Sequence, residues 1–515
     1  MKNRLILKAS AGTGKTYRLS LEYVASLCCG NDFRDILVMT FTKKATAEIK
    51  ERILKFLKQL KENGEEAKDL KKNILKLYPD IDFSQNKIEK IYEEVIQNKD
   101  KLKIYTIDAF TNLIFKKAIA PYLKIYSYEI IDDDDNKKVL LKVLDRLFTN
   151  KEDFSKFKEF LKDNSERDME KYIELIKNLL NQRWKTIVLG DRLNKKREPF
   201  QIKDSFTIMD NLLEIVNSVA IDKKKDLETV LVKKSKPYIK LNDDFEKERY
   251  LIDNFKDLIK GNIWSGTYIK DSCGRLEDLE YLQDELRLNI AKTLFNEKII
   301  PYEEKLLQVI NRIYEIYDDI KFKEQRFTFL DISNYTFRYI RDKNLNFVDE
   351  NGVTDEFFDI IDGKIKTIFI DEFQDTSILQ WKILKDIIDK SENVICVGDE
   401  KQSIYGWRGG EKNLFENLEK IIDGKVENLN ICYRSEENVV MFYNKFFKTL
   451  SEKSEESSKK WEFLEVNPKN QNQKGHIEIL TKDLLEDEEE KENISVIDKI
   501  IEKIQLDFNL SLIHI

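Results

Sequence analysis

Lys8-Ala9-Ser10-Ala11-Gly12-Thr13-Gly14-Lys15-Thr16 brings two glycines, a lysine and a terminal hydroxyl into one short stretch. Gly12 and Gly14 allow the backbone to turn its N–H groups toward a phosphate. Lys15 can reach β and γ oxygens, and the Thr16 hydroxyl can ligate Mg²⁺. Position 9, where the phosphate-loop pattern GxxxxGK[ST] opens on glycine, is alanine here. A second chemical pair lies far downstream, where the apolar run Thr367–Ile370 is followed at once by Asp371-Glu372. Asp371 could hold Mg²⁺ through water, and Glu372 could orient and deprotonate an attacking water. In a chain that is 36% charged, most Asp-Glu pairs are solvated turns. These two acids instead sit at the mouth of an apolar strand, in a chain that also carries the phosphate loop.

Positioning such groups requires a sheet with loops at one edge. The phosphate loop follows Leu5-Ile6-Leu7 and precedes a segment in which Leu19, Tyr23 and Leu27 recur every four residues, so strand, loop and helix are predicted. The helix N-terminus adds its positive dipole end. Further apolar runs at Ile36–Phe41, Ile104–Ile107, Ile368–Ile370 and Val394–Val397 complete five expected parallel strands with helices on both faces. The fold class expected is α/β. Its first domain is expected to span 1–120 and 321–427, and a charged, mostly helical insertion 121–320. From 428 to 509 another α/β domain begins. It opens with Leu429–Cys432 and a helix through Val439–Leu450, followed by a polar linker, a strand at His476–Leu480 and a helix from Asn493 to Ile504. The Asp132–Asp135 and Glu486–Glu490 runs read as solvated turns. Leu510–Ile515 is the conceptual translation of CTG TCT CTT ATA CAC ATC, the end of a common sequencing adapter, so 510–515 are expected to be a non-native tail.

Composition narrows the classes. At 515 residues and 41% hydrophobic, length suggests about three domains. The net charge is −7, yet residues 1–120 carry 24 Lys and Arg against 16 Asp and Glu, a net of +8 that leaves −15 for the rest. That asymmetry permits a basic groove near the N-terminus, although solvated helix faces would read the same. Cys28, Cys29, Cys273, Cys396 and Cys432 form no CxxC pair, and with only His476 and His514 no zinc or iron–sulfur site is supported. Cys396 and Cys432 lie in apolar runs and read as core. No signal peptide, transit sequence or apolar stretch of membrane-spanning length is present, so a cytoplasmic location without membrane partners is expected.

Three further segments close expected strands: Thr40-Phe41-Thr42-Lys43-Lys44, Thr106-Ile107-Asp108-Ala109-Phe110, and Gly398 through Gly409. The first opens a helix with Ile49, Ile53, Leu57 and Leu60 on one face. Carboxyl ends of strands are the usual ligand edge of such sheets. Phe41, Tyr405 and Trp407, interleaved with Lys and Arg, fit a stacking platform for single-stranded bases. Phe110 reads as core.

The set AGTGKT, TFTKKATAEIKER, TIDAF, DEFQDTS, GDEKQSIYGWRGG and LNICYRS, in this order, resembles superfamily 1 helicases of the UvrD/Rep type. The spelling DEFQDTS and the large insertion resemble the RecB/AddA branch, the motors of recombinational exonuclease complexes, as does FTFLDISNYTFRYI at 327–340. The resemblance covers 1–120 and about 327–447, and the insertion only by position and length. It implies an ATP-dependent, Mg²⁺-requiring DNA helicase or translocase that runs 3′→5′ on single-stranded DNA and works with a second helicase–nuclease subunit. Ala9, Gly12, Thr13, Gly14, Lys15 and Thr16 would then bind the nucleotide, and Thr16 and Asp371 the metal. Glu372 would activate water, and Gln402 would sense the γ-phosphate. Phe41, Thr42, Lys43, Tyr405, Trp407 and Arg408 would contact DNA, with Arg408 linking the two sites. Tyr433 would pack on adenine, Arg434 would reach the γ-phosphate, and Gln374 and Asp375 would support the acids. The chain departs from the family in three ways. No adenine-reading glutamine precedes the loop, Asp108 stands where many relatives have His, and the later motifs of the second motor domain are missing, as is any exonuclease motif. A second expectation therefore stands beside the helicase: a nucleotide- and DNA-binding module with little turnover. A structural or signalling P-loop protein fits Gln402–Arg408 and Tyr433-Arg434 poorly.

Overall fold

A computed structural model describes residues 3–160, 169–189, 197–258, 260–264, 269, 273–350, 352–403, 412–454, 463–469 and 475–477. The described residues form two compact units. One holds the residues up to Phe110 and those from Asp362 on, and the other is Thr111–Ile361.

The first unit is built on a six-stranded sheet: β1 (Asn3–Ala9), β2 (Ile36–Thr40), β3 (Lys103–Thr106), β4 (Thr367–Ile370), β5 (Asn393–Gly398) and β6 (Lys425–Leu429). Their order is β6-β1-β5-β4-β2-β3, and every pairing is parallel. All five residues of β2 and all four of β4 are buried, as expected of strands covered on both faces. The sixth strand extends the five expected. Its sequence, Lys-Val-Glu-Asn-Leu, offers only two apolar residues, and it lies at the sheet edge beside β1, where a continuous apolar run is unnecessary. Leu429 thus closes this sheet rather than opening a new segment, and the following Ile431–Cys432 pairs with Asn467–Pro468.

Helices α1 (Lys15–Cys28), α2 (Lys43–Glu62), α3 (Glu65–Leu77) and α4 (Gln85–Gln97) build the core on one side. Leu19, Tyr23 and Leu27 of α1 and Ile49, Ile53, Leu57 and Leu60 of α2 are all buried and join Leu7, Val38, Phe369 and Ile395 of the sheet in one cluster. A Thr42 cap starts α2, its hydroxyl accepting from Ala45 N at 3.1 Å.

The second unit is largely helical, with α5 (Asp133–Thr149), α6 (Ser205–Asp222), α7 (Leu276–Leu294), α8 (Ile300–Glu324) and α9 (Phe329–Tyr339) as its main members. It begins before 121 and ends after 320. The segment 327–340 belongs to it because Phe327 and Tyr335 pack with Phe115, Tyr128 and Phe322. The Asp132–Asp135 run is not a turn. Asp132 caps α5 and the next three acids fill its first turn, where negative charge meets the positive end of the helix dipole. No helix among the described residues is long and apolar enough to cross a membrane.

Candidate nucleotide and nucleic-acid site

Three adjacent strands, β1, β5 and β4, end at the same edge of the sheet, and the loops that leave them bring Lys15, Gln402 and Glu372 together. Lys15 Nζ donates to Glu372 Oε2 at 2.9 Å and to Gln402 Oε1 at 3.3 Å. The Lys15 side chain is only 10% exposed, so its charge is stabilised by these partners more than by water.

The phosphate loop is shaped by its two glycines, Gly12 at φ +75° and Gly14 at φ +83°. A Cβ at Gly12 would lie 2.7 Å from Cβ of Arg434 and 3.3 Å from Sγ of Cys432, so only glycine fits there without displacing the neighbouring backbone. Thr13 closes the loop on itself, its Oγ1 donating to Ser10 O at 2.8 Å. Ala9 is buried as the last residue of β1, and Thr16 is half-buried in the first turn of α1. Among the described residues no side chain caps α1, which leaves its N-terminus facing the loop's concavity.

Asp371 follows β4, and its N–H donates to Met39 O at 2.8 Å on β2. Asp371 is 2% exposed. Burial first, and the nearby Glu372 charge second, push its carboxyl up to about 7. Glu372 sits at φ +51°, a left-handed conformation that aims its side chain back at Lys15. Gln374 Nε2 holds the same Glu372 oxygen at 2.7 Å, and its Oε1 accepts from Asp399 N at 3.0 Å. Burial and Glu372 also raise the Asp375 carboxyl to about 6, and its Oδ1 is buried without a hydrogen-bond partner among the described residues.

Asp399 falls within the motif GDEKQSIYGWRGG without a role assigned to it there, yet it organises the third loop. Its carboxylate accepts from Gln402 Nε2 at 2.7 Å and Lys401 N at 3.1 Å, and pairs with Lys401 Nζ at 3.3 Å. Its one signal in sequence is the Gly-Asp step that ends the apolar β5. Tyr17 carries no such signal. It stands edge-on to Phe56 at 5.3 Å between ring centres, beside Gly14 and across from Tyr433.

Tyr433 and Arg434 come from the far side. Tyr433 N donates to Gly12 O at 2.8 Å, which docks this segment on the phosphate loop. Tyr433 is 54% exposed, and its ring carries Lys469 Nζ 4.9 Å from its centre. Arg434 is exposed beside Gly12.

The nucleic-acid candidates are only partly in view. Phe41 is half-buried and Thr42 and Lys43 are exposed at the carboxyl end of β2. The Thr42 hydroxyl is occupied as the α2 cap. Tyr405, Trp407 and Arg408 lie outside the described residues, as do the acidic run 486–490, the helix expected at 493–504 and the tail 510–515. Phe110, Cys396 and Cys432 are core.

The chain belongs to the family of the UvrD/REP helicase N-terminal domain, whose profile matches residues 1–423. Among curated proteins it is similar to an ATP-dependent helicase/nuclease subunit of Lactobacillus helveticus, at 24% identity over 87% of this chain and 39% of that protein. The same-named subunit of Lactococcus lactis subsp. lactis is 26% identical over the same shares. The exonuclease/helicase subunit RexA of Lactococcus lactis subsp. cremoris is 24% identical over the same shares. The chain thus spans about two fifths of the length of these relatives.

Proposed function

We propose that this chain is the nucleotide-binding motor portion of an ATP-driven DNA helicase. On this reading it moves 3′→5′ on single-stranded DNA within a helicase–nuclease complex of the RecB/AddA kind, in the cytoplasm. The observation that carries the reading is the meeting of Lys15, Glu372 and Gln402 from three adjacent strand ends, with Tyr433 docked on Gly12.

The donor set fits Mg²⁺ and ATP: a lysine, a helix-borne threonine, a buried carboxyl at a strand end, and a loop that leaves no room for a Cβ at position 12. Thr16 and Asp371 would hold the metal, whose role is to neutralise phosphate charge. Lys15, held by Glu372 and Gln402, would exchange them for phosphate oxygens. Glu372, kept in place by Gln374, accepts a proton from water. Gln402, tied to Asp399 and leading into 404–411, links the nucleotide to the loop that the resemblance assigns to DNA. Arg434 supplies a cation from the opposite side, and Tyr433 and Tyr17 offer aromatic faces to the base. The domain reading follows the two units: the residues up to 110 and 362–429 as the first motor domain, 111–361 as an insertion, and 430–509 as the start of a second motor domain.

A second reading, a binding module with little turnover, is favoured by one observation. Among the described residues, Arg434 is the cation that the far side sets against the phosphate loop. Isothermal titration of the 515-residue chain with Mg·ATPγS tests the common core of both readings. Binding that Lys15→Ala removes supports them, and binding indifferent to Lys15→Ala refutes them.

A further inference from the structure

Asp108 lies just past β3, and Gln380 lies in the first turn of α10 (Ile378–Lys390), the helix after the acidic loop. Asp108 Oδ1 accepts from Gln380 Nε2 at 2.8 Å. Gln380 is already committed at its other end. Its Oε1 accepts from Ser377 N at 2.9 Å, and its own N–H donates to Ser377 Oγ at 3.1 Å, closing a capping box. With the amide oxygen held by the cap, the amide nitrogen must find a separate acceptor, and Asp108 presents one. The turn that presents Asp108 is fixed in its own right, Thr106 Oγ1 accepting from Ala109 N at 3.1 Å.

The sheet order gives this bond its reach. β3 and β4 flank β2, so the bond joins chain leaving one neighbour of β2 to chain leaving the other. Two inter-strand steps span roughly 10 Å. Back from Ser377 the loop is contact-linked throughout. Asp375 is 6% exposed, Gln374 binds Glu372, and Glu372 binds Lys15. The exposed residues Thr42 and Lys43 leave the strand that the bond straddles.

We propose that Asp108 is a positioning residue that, through Gln380, ties the loop after β3 to the acidic loop 371–377, and so couples nucleic acid at the sheet edge to Glu372. The inference rests on the nucleotide- and DNA-binding reading above. A carboxylate is a poor partner for a phosphate backbone, and its use as an acceptor for Gln380 explains an acid at this edge without asking it to touch DNA.

Coupling between two ligands is reciprocal and is read as the ratio of nucleotide Kd values without and with DNA. The 515-residue chain is titrated with Mg·ATPγS in the absence and presence of saturating oligo(dT). Gln380→Glu keeps the oxygen the cap needs, since Glu serves equally at that position, but sets a second carboxylate against Asp108. Asp108→Asn keeps an acceptor oxygen. The double variant Asp108→Asn/Gln380→Glu restores a donor–acceptor pair in the reverse sense. Gln380→Glu is expected to cut the coupling ratio by about fivefold or more, within the usual range of such couplings, with oligo(dT) affinity unchanged. Asp108→Asn and the double variant are expected to keep it, a rescue that general damage to folding would not give. Four results overturn the inference: a ratio of one in the unsubstituted chain, a ratio unchanged by Gln380→Glu, a double variant as impaired as Gln380→Glu, or an Asp108→Asn chain that loses oligo(dT) affinity. Nucleotide binding that survives Lys15→Ala would instead remove the reading beneath it, and the inference with it.

Discussion

Lys15 and Glu372 neutralise each other at 2.9 Å, and a phosphate must take one of them from the other. Their jobs then diverge, and substitution separates them. Lys15→Ala is expected to weaken nucleotide binding and, in a turnover-competent protein, to cut the rate by about 10³–10⁵, the usual cost of one lost cation at a transferring phosphoryl group. Glu372→Gln removes only the proton acceptor, so it should keep binding and lose turnover. Nucleotide affinity and single-turnover rate, measured on both variants, check this. Asp371 adds a pH signature. Its folded value, about 7, lies above its ordinary 3.8, so the folded chain holds that proton more tightly than the unfolded chain. The stability this lends is fully present below about pH 4 and is lost as pH rises through 7. Asp375, raised to about 6, acts with the same sign. Without metal, the thermal midpoint of Asp371→Asn should therefore gain on that of the unsubstituted chain between pH 5 and 7.5. A constant difference across that range would contradict the burial argument.

At the scale of elements, two contacts carry testable weight. Thr42 is expected to act first as a helix cap. Thr42→Ala should cost about 1 kcal/mol of stability in chemical denaturation, with Thr42→Ser close to neutral. On α1, Arg18 Nε pairs with the buried Glu22 at 2.7 Å, and its Nη1 with Glu427 of β6 at 2.8 Å, which ties the phosphate-loop helix to the edge strand. Arg18→Leu leaves Glu22 with the Tyr78 hydroxyl at 2.5 Å and an uncompensated buried charge. A loss of about 3–5 kcal/mol is expected, most of it recovered in Arg18→Leu/Glu22→Leu. These elements are not equally legible in sequence. β2 and β4 announce themselves because burial on both faces demands an unbroken apolar run. The period of four in α1 and α2 reappears as buried residues in the core. β6 stays hidden because an edge strand needs few apolar side chains, and Asp132–Asp135 mislead because a helix start and a solvated turn use the same acids. In the site, Lys15, Asp371 and Glu372 are readable from residue type beside expected strands, and Gln402 only through the family resemblance. Asp399 and the Asp108–Gln380 bond are not, since their value depends on which strands are neighbours.

For the whole molecule, the order β6-β1-β5-β4-β2-β3 places the phosphate loop beside the Gln402 loop and the acidic loop, although Lys15 is 357 residues from Glu372 and 387 from Gln402. The same order sets the β2 loop, with the candidate nucleic-acid residues Phe41, Thr42 and Lys43, next to the acidic loop. The Thr111–Ile361 unit interrupts this sheet in sequence, and among the described residues it contributes no strand to it. The segment from Ile431 on contributes Tyr433 and Arg434 at the phosphate loop. Among the described residues Arg434 is the cation that this side sets directly beside Gly12, which should support binding better than turnover. The central claim is that these loops form an ATP site answering to DNA, and steady-state ATP hydrolysis with and without single-stranded DNA tests it most directly. The assay compares the 515-residue chain with a chain extended to the length of its relatives, each with and without Glu372→Gln. The account predicts DNA-dependent turnover by the longer chain, abolished by Glu372→Gln, and almost none by the 515-residue chain. DNA-dependent turnover that survives Glu372→Gln would contradict it.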